Sequence, residues 1–153
     1  MLLEPYVSRI KLEIDEINEL QRAYQPLLSL SRSKQPDLIE TAALAQVLHS
    51  FYNGIERLFV LTMKASNQEL PVGANWHRTL LEKVTESTDA RAPVISKTTR
   101  DKLVEYLGFR HVVRHTYSRH LDSDRIKVLA DKSGDVWTAL REEVLLFLRS
   151  GTP

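Results

Sequence analysis

A short segment, Gly108–Leu121, holds most of the side chains that could do chemistry in this chain of 153 residues. Three of the five histidines and three arginines fall within it, and no acidic residue lies between Glu105 and Asp122. Arginine binds phosphate oxygens through a planar, permanently charged fork, and histidine exchanges a proton near neutral pH. The combination suits phosphate chemistry. In metal-independent RNA cleavage, a base takes the ribose 2′-OH proton, a cation stabilises the transition state, and an acid protonates the leaving 5′-oxygen.

The spacing of these side chains predicts how a helix would present them, since an α-helix turns about 100° per residue. One side would hold Arg110, Arg114 and Tyr117, with Tyr117 about 10 Å beyond Arg110 along the axis. His111 and His115 would lie on an adjacent side. Arg110 and His115 are therefore about 140° apart. They converge if the helix is distorted near its glycine, or if two copies of the helix face each other across a two-fold axis.

Simpler interpretations fit the same spacing. A basic helix face that contains histidine is often a solvated surface, and it can bind RNA or phosphate without catalysis. A zinc site is disfavoured: His111 and His115 have ligand spacing, but the chain has no cysteine and no His-Glu-x-x-His pattern. The sequence also lacks a G-x-S-x-G nucleophile motif and a glycine-rich phosphate loop. We therefore expect no metal and no cofactor.

Composition limits the class of protein and its partners. Hydrophobic residues make up 42% and charged residues 27%, which is typical of a globular domain, and the length suits one domain over residues 1–153. A net charge of +1 gives no global attraction to nucleic acid or membrane, so such binding needs a local patch. The lack of cysteine and of a signal-peptide pattern leads us to expect a cytoplasmic protein with no membrane partner.

Apolar residues recur every three or four positions through most of the chain, which is the helical period. A first helix spans Leu3–Leu27, and Pro26 should kink or end it. A second carries the apolar residues of Leu44–Met63, and a short third follows Asn75. The fourth holds Gly108–Leu121, and the fifth closes the sequence. The pattern predicts an all-α bundle of about five helices in one domain.

Two further expectations concern residues outside the motif. Glu56 and Arg57 are interpreted as a surface pair, and the alternative is that Glu56 supports Arg110 from behind. Three aromatic residues at helical spacing are expected in the core rather than as platforms for stacked bases: Phe51, Trp76 and Trp137.

The motif resembles a known signature. FRHVVRHTY is similar to the Arg-x4-His-x-Tyr pattern of the HepT-like toxins, a branch of the HEPN superfamily. Arg110, His115 and Tyr117 carry the match, and His111 occupies the position after the arginine, which is polar in the superfamily. The stretches SFYNGIERLF and ELPVGANWHRTLLEKV resemble the second helix and connector of a HepT-like subgroup, and VWTALREEVLLFL resembles its last helix. The resemblance covers most of the chain.

The resemblance implies a helical bundle that forms a homodimer around its motif helices. It implies the toxin of a type VII-like pair: a metal-independent endoribonuclease partnered by an MNT-type nucleotidyltransferase antitoxin. Arg110 and His115 would be catalytic, and Tyr117 would accept AMP from the antitoxin, which silences the toxin. Three further residues would support RNA binding: His111, Arg114 and Arg119. We expect a tRNA substrate, because a folded RNA can present an exposed end to a dimeric cleft. The alternative is a non-catalytic adaptor that binds a nucleotidyltransferase or a nucleotide.

Overall fold

A computed structural model describes residues 1–151, which form six α-helices and one short 3₁₀ turn. The helices are α1 (Glu4–Ala23), α2 (Gln25–Ser33), α3 (Leu38–Ala65), α4 (Trp76–Lys83), α5 (Lys97–His115) and α6 (Ser123–Gly151). The prediction of an all-α bundle is confirmed. Residues 152–153, which the predicted domain includes, lie outside the described residues. No helix of the described chain is both long and apolar enough to cross a membrane.

Pro26 divides the first predicted helix in two. The helix α1 ends at Ala23, and α2 begins at Gln25 with the proline in its first turn. An N–H group in the first turn of a helix has no partner within that helix, so proline is tolerated there, whereas inside a longer helix it would remove a hydrogen bond. The described chain therefore has one helix more than the five expected.

The central helix of the bundle is α3, which has 28 residues. Asp37 and Glu40 close its N-terminus with a capping box, in which each side chain accepts a hydrogen bond from the other residue's backbone N–H. Helices α1, α4, α5 and α6 all pack against it. Gly54 lets α1 approach closely, because a Cβ at this position would lie 2.9 Å from Cγ1 of Ile17. This central position lets α3 present side chains to several neighbours at once.

The helix α5 carries most of the motif. It begins after Ser96, whose side chain accepts a hydrogen bond from the backbone N–H of Thr99, runs unbroken through Gly108 and ends at His115. Thr116 is already extended, with φ −127° and ψ 135°. Histidine, threonine, tyrosine and serine in succession are all weak helix formers. The prediction that helix continues to the end of the motif is therefore wrong.

The core contains two of the three aromatic residues expected there. Phe51 and Trp137 are buried, with ring centroids 6.4 Å apart in an edge contact, whereas Trp76 is partly exposed. The two ends of the described chain meet: the backbone N–H of Leu2 donates to the carbonyl oxygen of Gly151 at 3.2 Å. This hydrogen bond joins the segment before α1 to the last turn of α6.

Candidate functional site

A row of polar side chains crosses the otherwise apolar inner part of α3. We call these four residues the α3 polar stripe: His49, Tyr52, Asn53 and Glu56. Spacings of three, four and seven residues place them on one side of a helix. That side faces α5, and Arg110 reaches it. The stripe therefore places groups that can form hydrogen bonds and an ion pair at the contact between α3 and α5.

Arg110 is held by this stripe through one nitrogen. Its Nε donates to Oδ1 of Asn53 at 3.2 Å and lies 3.4 Å from Oε1 of Glu56. The Arg110 side chain is 15% exposed and that of Glu56 is 8% exposed. Within residues 1–151, Nη1 and Nη2 of Arg110 have no hydrogen-bond partner. The guanidinium is anchored at one edge, so its outer edge is left to bind a ligand.

Glu56 binds a second group with its other oxygen. Its Oε2 lies 2.6 Å from Nδ1 of His77, which sits in the first turn of α4. The His77 ring is covered on one face by Trp76, with ring centroids 3.7 Å apart, and its side chain is 21% exposed. One buried carboxylate therefore joins an imidazole and a guanidinium that come from different helices.

The expected surface pair of Glu56 and Arg57 is wrong. Arg57 instead pairs with Glu13 of α1, with 2.9 Å between Nε and Oε1. Successive residues on a helix point about 100° apart, so Arg57 faces α1 while Glu56 faces inward. The alternative placement, with Glu56 behind Arg110, is the one that the structure contains.

Burial disfavours the charged forms of two other residues of the stripe, His49 and Tyr52. Burial lowers the pKa of His49, and the positive charges of Arg110 and Arg114 lower it further. Burial raises the pKa of the Tyr52 hydroxyl, and the charge of Glu56 acts in the same direction. In the described part of the chain, neither Nδ1 of His49 nor the Tyr52 hydroxyl has a hydrogen-bond partner. Glu56 is thus the one anion that the stripe places against Arg110.

The remaining motif residues of α5 face outward. His111, Arg114 and His115 are exposed, and the rings of the two histidines lie 4.5 Å apart between centroids. No hydrogen bond joins His115 to Arg110 within the described chain, and α5 does not break between these two residues, which are five positions apart. A single copy of the chain therefore keeps the two predicted catalytic residues apart.

Tyr117 and Arg119 lie beyond α5. Tyr117 is 79% exposed in an extended backbone segment, and Arg119 is exposed on the 3₁₀ turn Ser118–His120. The prediction that Tyr117 shares a helix face with Arg110 is wrong, because α5 ends two residues earlier at His115. Its phenol is open to solvent, so it is accessible to an enzyme that modifies tyrosine.

Two clefts flank the group formed by Glu56, His77 and Arg110. The Trp76 cleft has a volume of about 470 Å³ and contains all three residues. It also has cationic side chains on its walls: Arg9, Arg57 and Lys64. The Gly108 cleft, of about 610 Å³, contains His77 and Arg110 together with three further basic residues: Arg78, His111 and Arg125. Arginine and lysine side chains outnumber the carboxylates in both clefts, which are Glu13 and Glu56 in the Trp76 cleft and Glu105 in the Gly108 cleft. Both clefts therefore suit a phosphate-bearing ligand.

Four residues of the site were not predicted from the sequence: His49, Tyr52, Asn53 and His77. The positions of His49, Asn53 and Glu56, four and three apart in an apolar helix, are a signal that could have identified the stripe. His77 gives no such signal, because it follows an irregular connector and has no periodic partner.

Within residues 1–151, no three histidine, aspartate or glutamate side chains are grouped as metal ligands.

Comparison with protein families places the site in context. Residues 43–150 match the family model described as HepT-like protein. The matched segment includes the α3 polar stripe, His77 and the whole of the motif. No curated protein and no solved structure shows significant similarity to the chain.

Proposed function

The chain belongs to the HepT-like family, and on this premise we propose that it is a cytoplasmic toxin that cleaves RNA without a metal ion. The observation that carries the proposal is the way in which the guanidinium of Arg110 is held. Its Nε is held by Asn53 and Glu56, and its outer nitrogens open onto clefts rich in cations. A guanidinium held in this way is pre-organised to bind two oxygens of one phosphate.

In the proposed reaction Arg110 clamps the scissile phosphate and His115 acts as general base or acid. The 2′-OH loses its proton to the base, and O2′ forms a bond to the adjacent phosphorus. The bond from phosphorus to O5′ breaks, and O5′ takes a proton from the acid. The products are a 2′,3′-cyclic phosphate and a free 5′-hydroxyl, and a tRNA is the proposed substrate class.

Two copies of the chain are needed to assemble this site. Arg110 faces α3, His115 is exposed, and the unbroken α5 keeps them apart in one copy. A homodimer through α5 would bring Arg110 of one copy to His115 of the other. Three exposed basic residues would then contact the RNA backbone around the cleft: His111, Arg114 and Arg119.

The proposed regulator is an MNT-type nucleotidyltransferase that modifies Tyr117. The phenol oxygen would attack the α-phosphorus of ATP, lose its proton, and release pyrophosphate. Tyr117 is suited to this because its side chain is 79% exposed. The added phosphodiester is negative, so it could pair with the exposed Arg114 and occupy the position of an RNA phosphate.

The test compares the wild-type chain with His115→Ala in growth and in cleavage. Expression of the wild type should arrest growth and the purified protein should cut bulk tRNA with EDTA present, whereas the variant should do neither. Thr138→Ala, an exposed substitution on α6, serves as the matched control and should behave as the wild type. Unimpaired growth and intact RNA with wild-type protein would instead favour the non-catalytic adaptor. Loss of cleavage on chelation would contradict metal independence.

A further inference from the structure

The hydrogen bond between Glu56 and His77 gives the site a histidine that the motif does not contain. We propose that His77 is the general base of the RNA-cleaving reaction and takes the proton of the ribose 2′-OH. The inference rests on the proposed ribonuclease function and adds a catalytic residue to it. If His77 is the base, the proton that protonates O5′ comes from His115.

The carboxylate of Glu56 fixes the tautomer of His77. A carboxylate can only accept hydrogen bonds, so the 2.6 Å contact requires Nδ1 of His77 to be the donor. In the neutral imidazole, the lone pair is then on Nε2, which is free to accept a proton. Carboxylates orient catalytic histidines in this way in hydrolases of unrelated folds. Glu56 is therefore a positioning residue for both His77 and Arg110.

His77 is accessible at the place where a phosphate would bind. It shares the two oxygens of Glu56 with Arg110, so the two side chains are neighbours. Both line the Trp76 cleft and the Gly108 cleft. Trp76 covers a face of the imidazole, whereas 21% of the side chain stays exposed. A phosphate clamped by the outer nitrogens of Arg110 would thus bring its ribose next to His77.

The chemistry needs two groups that transfer protons, and the motif places only one histidine in a catalytic role. With His77 included, the 2′-OH proton moves to Nε2 as the O2′–P bond forms. His115 of the second copy donates its proton to O5′ as the P–O5′ bond breaks. A later exchange of protons with water returns both imidazoles to their starting states. All atoms and charges balance without a metal or another reactant.

A purely structural role is the competing explanation, and His77→Gln separates the two. The glutamine amide can still donate a hydrogen bond to Glu56, but it cannot take a proton. With bulk tRNA as substrate, we expect kcat to fall about 10²–10⁴-fold while KM stays nearly constant. Binding of a 2′-O-methyl oligonucleotide, which cannot react, should be unchanged. Thr79→Ala, an exposed position on the same helix, is the control and should keep wild-type kinetics.

The pH profile and chemical rescue complete the experiment. A general base must be unprotonated, so the wild-type rate should fall at acid pH, and His77→Gln should lose that limb. Free imidazole should restore part of the activity of His77→Ala. Wild-type kinetics and pH profile in His77→Gln, alongside an inactive His115→Ala, would overturn this inference and leave the proposed function intact. Loss of activity with loss of RNA binding and no rescue by imidazole would reduce His77 to a structural residue and also overturn it. A wild-type chain that cuts no RNA would overturn both proposals.

Discussion

The two halves of the motif stand in opposite environments. The inner half is the part of the motif that contains Arg110. There Arg110 forms a hydrogen bond with Asn53 and an ion pair with Glu56, and Glu56 also contacts His77. At the outer half, which begins at Arg114, the side chains of Arg114, His115 and Tyr117 are exposed, and Tyr117 lies in extended backbone. The cation that would hold a phosphate is thus fixed within one chain. His115, which would protonate the leaving oxygen, and Tyr117, which would accept AMP, are presented to another molecule.

The two halves differ in whether their side chains are already ordered in the folded chain. Ordering an arginine side chain costs up to about 2 kcal/mol in rotamer entropy. Arg110 is already held by Asn53 and Glu56, so a bound phosphate would not incur this cost again. A buried ion pair does not guarantee stability, but it does define a geometry. Exposed side chains of the outer half would be ordered only on binding a partner, and they would incur this cost at that point. Four experiments test this contrast between the two halves.

The largest effect is expected on mixing two inactive variants. Arg110→Ala and His115→Ala should each lower cleavage about 10²–10⁴-fold. In an equal mixture half of the dimers combine both variants, and each of these has one intact composite site. The mixture should therefore recover about a quarter of wild-type activity. Cleavage of bulk tRNA measures this after the variants are mixed and refolded together. No recovery, or an active monomer in light scattering, would mean that both residues act within one chain.

The second experiment removes the phenol at the outer half. Tyr117→Phe should keep an unfolding free energy within about 0.5 kcal/mol of the wild type, as an exposed substitution does. It should keep cleaving RNA, because the hydroxyl has no role in the reaction, and it should gain no AMP from ATP and the nucleotidyltransferase. Intact-mass spectrometry measures the transfer. AMP addition equal to that of the wild type would remove Tyr117 from the proposed switch.

A smaller effect, on stability, is expected at the inner half. Glu56→Ala leaves Arg110 and His77 without their shared carboxylate, and breaking a buried pair from one side costs about 3 kcal/mol. Glu16, exposed on α1, is the matched control, and its alanine variant should stay within about 0.5 kcal/mol. Denaturant unfolding measures both. Equal stability of the two variants would show that the inner half is no better anchored than the outer half.

The smallest effect concerns His49, whose pKa lies below the ordinary value of 6.5 because of burial and of Arg110 and Arg114. A histidine with a lowered pKa favours the folded state above its ordinary pKa, and that contribution is lost as the pH falls below 6.5. From about pH 7 to about pH 5, the wild type should lose more unfolding free energy than His49→Gln. The difference should be under about 1 kcal/mol, since the ring is partly open to solvent.

The same pH experiment has a direct control. Arg114→Gln removes one of the two neighbouring positive charges, so the pKa of His49 should rise toward 6.5, as followed by NMR. An unchanged pKa in that variant would show that the outer half exerts no electrostatic effect on the stripe.

The helices could be predicted from the sequence because apolar residues repeat with the helical period. The break at Pro26 was predictable from the local sequence, because proline is not tolerated in the interior of a helix. The end of α5 at His115 was not, because weak helix formers lower helical propensity without stopping a helix outright. The contact of His77 with Glu56 joins residues 21 apart, and no local pattern encodes such a pairing. The features that were not predicted are tertiary contacts, and they include the hydrogen bonds that Asn53 and Glu56 make with Arg110 and His77.

The contact between Leu2 and Gly151 has a consequence for the timing of folding. A ribosome makes the N-terminus first, at about 5–20 residues per second. About 7 to 30 s then separate the synthesis of Leu2 from that of its partner at Gly151. During that interval α1 can pack on α3, but the last turn of α6 does not yet exist. A nascent chain therefore carries the motif segment before its bundle is closed, and closure waits until the last turn of α6 has left the ribosome.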